Sequence, residues 1–301
     1  MEVQIIGGDI GRGFVKAYTE YNGMKSGCLF KSIVALGRFM DTSEYKDPIY
    51  IEHTNVEYFV GELGEKEGDN PVHNLRDDKT SETVNILIAA ILNKLAISDK
   101  VKLVLGVPNK LFNKKTMNEV KEAYKGKRYT IKDKLTGAYK KITLEEVTIF
   151  REGDASLLWY TKDRESMNKP FGMVTVGFRT TEFSYYDEGF RFNDKHSKTK
   201  ELGNKTALEF VQRKLAEKGV MRELSEIDSS DKYDDLKAVA YNILRESIEN
   251  EIENTWINTS EMDIRIAGGT PLNLKKISYE IIDDPQMATA KGLFLIGEEV
   301  F

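Results

Sequence analysis

Apolar and polar positions along this chain follow one pattern twice. Residues 2–8 alternate poorly and read as a buried strand, ending at Asp9 and a glycine turn. FVKAYTEY at 14–21 is aromatic and β-branched, Asn22-Gly23 supplies a hairpin turn, and 24–35 continues as strand. IYIEHTNVEYFVGE at 49–62 predicts another hairpin, turning near Asn55. The period then changes. SETVNILIAAILNKL at 81–95 carries apolar residues at helical spacing behind a Ser or Thr cap. KLVLGVP at 102–108 is a short buried strand closed by Gly and Pro. A lysine-rich helix over 110–124, a surface hairpin over 128–149 around Thr136-Gly137, and a helix over 153–163 complete the first half.

The second half opens as the first does. GMVTVGFRTTE at 172–182 is again an apolar strand running into a glycine turn and out into a second strand, like GGDIGRGFVK at 7–16. Short strands at 181–187 and 189–193 follow, then an exposed loop at 193–200 and an amphipathic helix over 205–219 stopped by Gly219. EIDSSDKYDD reads as a mobile polar linker into a long helix over 232–256. Strand 263–267, the Gly268-Gly269 turn, a short helix, strand 278–282 and a last helix over 285–297 close the pattern. Two such units far apart predict a duplicated fold whose halves face each other. Glycine turns without side chains let backbone N–H groups approach an anion, so two of them facing one cleft make a clamp for a polyphosphate.

Composition narrows the chemistry. With 301 residues, 40% of them hydrophobic, the chain can bury a large core and has the length of two domains. A net charge of −5 gives no whole-molecule attraction to nucleic acid. Cys28 is the only cysteine, which excludes an intrachain disulfide and a thiolate cluster. His53, His73 and His196 lack metal-ligand spacing and read as surface or loop residues. The longest apolar run, ILIAAIL at 86–92, is too short to span a bilayer, and no basic segment precedes an apolar one at the start. The expectation is a soluble cytoplasmic protein with no membrane partner.

A few residues stand where chemistry is done. Asp9, at the mouth of the first turn, suits a hydrated Mg²⁺ or a plain turn. Lys16 can neutralise a phosphate oxygen or lie solvated on its strand. Glu152, after the strand TLEEVTIF, can orient a water for attack on a γ-phosphate or simply favour a helix N-terminus. Gly268 and Gly269 fit a ribose or phosphate contact, or a tight turn. Walker, Rossmann, nucleophile-elbow and zincin motifs are absent.

In order, these landmarks carry a resemblance. GGDIGRGFVK resembles the first phosphate motif of the actin/heat-shock-protein/sugar-kinase superfamily, GMVTVGFRTTE the second, IRIAGGTP at 264–271 the adenosine motif, and PQMATAKG at 285–292 the second connecting helix. YFVGELGE at 58–65, the helix 81–95 followed by VLGVP, and ELGNKTALEFVQRKLAEKG at 201–219 are similar to plasmid-segregation actins of the ParM type. The resemblance implies an α/β, actin-like ATPase fold: two similar domains with RNase H-like βββαβα cores around a nucleotide cleft. Domain I would cover 1–163, with 24–80 as a smaller subdomain and a C-terminal helix at 285–301 returning to it. Domain II would cover 164–284.

The family's roles map onto matching residues. Asp9 would hold Mg²⁺ through water. Gly11, Arg12, Gly13 and Lys16 would contact the phosphates, and Glu152 would position the attacking water. Gly177, Phe178, Arg179 and Thr180 would form the opposing phosphate turn, with Gly268, Gly269 and Thr270 at the adenosine end. The nucleotide would be ATP, with GTP an open alternative. One departure stands out: the aspartate that opens the second phosphate motif is here Thr175, which can hold a metal-bound water but brings no charge. Asp154 is a nearby candidate to compensate, and Glu182 takes the motif's last acidic position.

The implied function is a filament-forming ATPase that segregates plasmid DNA. Its partners would be further copies of itself and a DNA-binding adaptor, with the plasmid held indirectly. Two alternatives stay open: a polymerising scaffold with weak hydrolysis, prompted by Thr175, and a small-molecule kinase of the same superfamily. Segment 24–80 is short and irregular for sugar recognition.

Overall fold

The computed structural model describes residues 3–75, 78–163 and 168–301. The chain divides into two compact units, Met1–Ala155 with Thr289–Phe301, and Ser156–Ala288. The expected domain junction at 163/164 borders residues 164–167, which lie outside the described residues.

The first unit opens with an antiparallel trio: β1 (Gln4–Ile10), β2 (Phe14–Tyr21) and β3 (Met24–Lys31). Asn22 and Gly23, at φ 51° and 74°, form the two-residue turn between β2 and β3 that a right-handed twist requires. β4 (Ile33–Leu36), β5 (Ile49–His53), β6 (Val56–Val60), α1 (Glu62–Glu67) and β7 (Asp69–His73) follow. Next come α2 (Glu82–Leu95), β8 (Lys100–Val107), α3 (Lys114–Tyr124), β9 (Arg128–Asp133), β10 (Tyr139–Arg151) and α4 (Glu152–Thr161). The Ser81 hydroxyl accepts from Val84 N–H and starts α2, whose ILIAAIL run is wholly buried against the sheet.

The sheet order is β3-β2-β1-β8-β10-β9-β5-β6-β4-β7, with β1, β8 and β10 parallel neighbours. The hairpin expected on the surface at 128–149 is only half superficial. Its second strand runs on to Arg151 and becomes a central strand beside β8, because Leu144, Val147 and Ile149 are buried there.

In the second unit β11 (Phe171–Val176) pairs antiparallel with β12 (Thr181–Asp187), which also pairs with β13 (Arg191–Phe192) and β14 (Lys198–Lys200). Helices α5 (Asn204–Ala216), α6 (Leu224–Ser229) and α7 (Asp234–Thr255) precede β15 (Asp263–Ala267), which pairs parallel with β11, and β16 (Glu280–Ile281), which pairs parallel with β15. The runs β3-β2-β1-β8-β10 in the first unit and β13-β12-β11-β15-β16 in the second therefore take the same order and the same directions. That repeat is a mixed α/β, two-sheet architecture of two like halves, as the sequence leads one to expect.

Three local expectations change. The loop at 193–200 contains β14, which is held by β12 rather than by any apolar face of its own. The linker at 226–235 is largely helical: Glu223 N–H donates to the Glu226 carboxylate at 2.8 Å and starts α6. His53 is a buried β5 residue stacked on Tyr129, with its Nδ1 3.0 Å from the Thr130 carbonyl. Finally, α8 (Ala288–Val300) packs directly on β1 in the first unit. A Cβ at Gly7 would stand 2.3 Å from Ala290 O and Phe294 N, so only glycine admits the helix that closely.

Candidate functional site

The first glycine turn joins β1 to β2, and the pairing of Asp9 with Lys16 across that hairpin brings their side chains together. Lys16 Nζ lies 2.8 Å from Asp9 Oδ2, with both groups largely buried. Gly11 N–H donates to Phe14 O at 3.2 Å and closes the turn. The turn's carbonyls are then taken up one by one. Gly11 O accepts from Ser32 Oγ at 2.6 Å and from Asn74 Nδ2 at 3.2 Å. Gly13 O accepts from Ser32 N–H at 2.9 Å, and Ile10 O from Lys79 Nζ at 2.8 Å. With the Ile10, Gly11 and Gly13 carbonyls occupied, the turn favours an approaching anion, as an anion nest does.

The carboxylates sit at the carboxyl ends of the parallel strands, where ligands of such sheets gather. Asp9 is the penultimate residue of β1. Glu152 follows the last residue of β10 and opens α4, where the helix dipole favours a negative charge. Gly106, on the strand between them, leaves the space: a Cβ there would lie 3.1 Å from Glu152 Cγ and 3.8 Å from Asp9 Cα. Asp154 is held by Arg151, whose Nε and Nη2 reach its Oδ2 at 2.7 and 2.6 Å. Its carboxylate is thus anchored at the start of α4.

The second turn repeats the first. Gly177 N–H donates to Thr180 O at 2.9 Å, the same closure between the same two strands of the unit. Gly177 O accepts from Asn204 N–H at 3.2 Å and Thr270 Oγ1 at 2.8 Å, and Phe178 O accepts from Lys205 N–H at 2.8 Å. The first N–H groups of α5 are spent on this turn. Gly203 permits the approach, since a Cβ there would lie 2.6 Å from both Gly177 O and Phe178 O. Arg179 forms an exposed ion pair with Glu201 at 2.7 Å.

Thr270 ties the Gly268-Gly269 turn to this assembly. Gly268 has φ 101°, and a Cβ there would stand 2.2 Å from Val176 O, so the position is closed to other residues. Thr175 pairs with Glu182 across the β11–β12 ladder. The buried Thr175 Oγ1 has no hydrogen-bond partner among the described residues.

The first unit therefore gathers Asp9, Gly11, Arg12, Gly13, Lys16 and Glu152. The second gathers Thr175, Gly177, Phe178, Arg179, Thr180, Gly268, Gly269 and Thr270. Sequence reasoning passed over Ser32, Asn74, Lys79, Gly106 and Gly203. The two glycines carried a signal, one interrupting an apolar strand and one preceding a helix. The other three act only through tertiary contact. Among the described residues no group of three or more His, Cys, Asp or Glu side chains is placed to hold a metal ion, and no helix is long and apolar enough to cross a membrane.

Residues 7–153 match the family model for the N-terminal domain of actin-like proteins. The whole chain is similar in fold to a ParM from a 15-stranded filament of Clostridium botulinum, with a TM-score of 0.82 at 22% identity over 99% of this chain and 100% of that one. An archaeal actin homologue in complex with ADP gives 0.77 at 18% identity, again over 99% and 100%. Bacillus thuringiensis ParM with ATP gives 0.68 at 12% identity over 99% of each chain. At these identities the likeness is one of fold. A search of curated protein sequences finds no match.

Proposed function

We propose, from the match of residues 7–153 to the N-terminal domain of actin-like proteins and the ParM-like fold of the whole chain, that this is an actin-like protein and a nucleotide-dependent, filament-forming ATPase. It segregates plasmid DNA through a DNA-binding adaptor. The observation that carries this reading is the repeated turn. Twice, a glycine N–H closes a β-hairpin turn while neighbouring groups take its carbonyls, which favours an approaching phosphate.

Gly11, Arg12, Gly13 and Lys16 bind phosphate at the first turn, and Gly177, Phe178, Arg179 and Thr180 at the second. Gly268, Gly269 and Thr270 support the nucleoside end. The Asp9 carboxylate and the Thr175 hydroxyl, which has no hydrogen-bond partner among the described residues, are each a group suited to a hydrated Mg²⁺. Asp9 and Thr175 would hold that ion through water, and when bound it neutralises phosphate charge. Glu152 orients the attacking water and accepts its proton as the bond to the terminal phosphorus forms and the bond to the ADP leaving group breaks.

Subunits associate head to tail through a heterologous contact that does not close, which makes an open polymer. The nucleotide state then sets the affinity of one subunit for the next.

The test is light scattering with simultaneous phosphate release, in Mg²⁺ with ATP and in parallel with GTP, on the wild-type protein and Glu152→Ala. Scattering should rise and phosphate should follow. The variant should keep the rise and lose release by about 100-fold or more, the usual weight of a general base. Absence of scattering with every nucleotide overturns the reading. A second reading, a polymerising scaffold with weak hydrolysis, is favoured by the neutral Thr175 and predicts scattering without phosphate from the wild-type protein.

A further inference from the structure

The segment after β7 places an unusual charge under the first glycine turn. Lys79 is 9% exposed, and its Nζ meets one protein acceptor, the Ile10 carbonyl at 2.8 Å. Among the described residues no carboxylate pairs with it. Its backbone is pinned as well, because the buried Tyr124 hydroxyl donates to Lys79 O at 2.8 Å. The ammonium is thus fixed on the residue between Asp9 and Gly11, with two of its three donors beyond that single bond.

A buried charge without a counter-charge costs stability, and packing alone would be served as well by an apolar side chain. Ser32 and Asn74 hold the neighbouring Gly11 carbonyl with neutral groups, so holding a carbonyl does not itself require a cation. What distinguishes Lys79 is positive potential at a turn that already favours anions.

We infer that Lys79 is a positioning residue of this turn, with a second, electrostatic role. It draws the Ile10 carbonyl away from the ligand, and its charge strengthens binding in step with the number of phosphates. The inference rests on the nucleotide reading of the site given above. It adds a residue that stands 63 positions after Lys16 and outside the turn itself.

The experiment is calorimetric titration of ATP, ADP and adenosine into the wild-type protein, Lys79→Met, Lys79→Gln and Lys79→Arg, with thermal melts of each without nucleotide. Gln keeps a donor for the Ile10 carbonyl and drops the charge; Arg keeps the charge. ATP affinity should fall by about ten- to thirtyfold in Met and Gln, as expected for loss of one nearby charge at an effective dielectric of about 20. ADP should lose less, adenosine nothing, and Arg should recover most of the loss. The nucleotide-free melting temperature of Lys79→Met should hold or rise.

Unchanged ATP affinity in both Met and Gln overturns the inference. So does an equal loss for adenosine and ATP with a lowered nucleotide-free melting temperature, which marks a structural prop. If the wild-type protein binds neither ATP nor ADP, the nucleotide reading fails and takes the inference with it. That result is distinct from a wild type that binds and variants that match it.

Discussion

Gly106→Ala separates the site's geometry from its binding. The added methyl would lie 3.1 Å from Glu152 Cγ and 3.1 Å from Leu293 Cδ1, with Asp9 Cα more relaxed at 3.8 Å. Both close atoms belong to side chains, so the fold survives and each neighbour yields by a few tenths of an ångström. Overpacking of this kind costs about 1–3 kcal/mol, which at about 2–4 °C per kcal/mol lowers the melting temperature by several degrees. The glycine turn is not touched, so ATP affinity should hold. The carboxylate of Glu152, however, is pushed from its place. If a misplacement of about 1 Å costs about 100-fold in rate, a third to a half of that costs about four- to tenfold. The assay is single-turnover phosphate release at saturating ATP, with affinity measured separately by titration. A lowered melting temperature with an unchanged rate would refute the proposed role of Glu152 at the reacting phosphate. A matched loss of rate and affinity would instead show that Gly106 supports the turn.

Two further predictions test other parts of the structure. Thr175→Val exchanges a buried hydroxyl without a partner for a methyl of the same shape, so the nucleotide-free protein should melt at an equal or higher temperature. Mg²⁺-dependent ATP affinity should drop by about two- to tenfold, the worth of one hydrogen bond; a lower melting temperature would mean that the hydroxyl is satisfied in solution. Burial pushes the Cys28 thiol from its ordinary 9.0 to about 12. At pH 8 a disulfide reagent should label the folded protein slowly and the urea-unfolded protein fast. The raised value also fixes a sign: the thiol costs nothing below about pH 9, and stability falls from there to about 12 as the unfolded chain loses its proton first. Fast labelling of folded protein would contradict that burial.

Much of this architecture was legible in the sequence because it is encoded locally. β1, β2, α2, β8 and α7 announce themselves by period, by the Asn22-Gly23 turn and by the Ser81 cap. The glycine turns were visible as breaks in apolar strands. What escaped was set by partners distant in sequence. β14 is three polar residues made into a strand by the register of Thr181 with Lys200. The long central course of β10 depends on β8 lying beside it. His53 is buried because Tyr129 and the Thr130 carbonyl come to meet it. α6 is the exception, since its Glu223 and Glu226 cap spacing was present and unread. In the site, the turns and carboxylates were readable as residue types in a pattern. The carbonyl acceptors' partners at Ser32, Asn74 and Lys79 were not, for they sit outside any motif and matter only by reaching across 21 to 69 positions.

The packing of α8 on β1 has a consequence for how the molecule is made. Residues 156–288 form a unit from one continuous stretch, which can collapse as it leaves the ribosome. The other unit is synthesised first and finished last, since the surface around Gly7 awaits Ala290 and Phe294. A nascent chain therefore carries its first sheet with an apolar face uncovered throughout the translation of the second unit, and that interval is when a holdase would have most to shield. The last helix also works as a completion mark. Chains truncated before residue 289 keep every residue of both turns and lack the layer that seats the first, so an interrupted product carries its first glycine turn without that support.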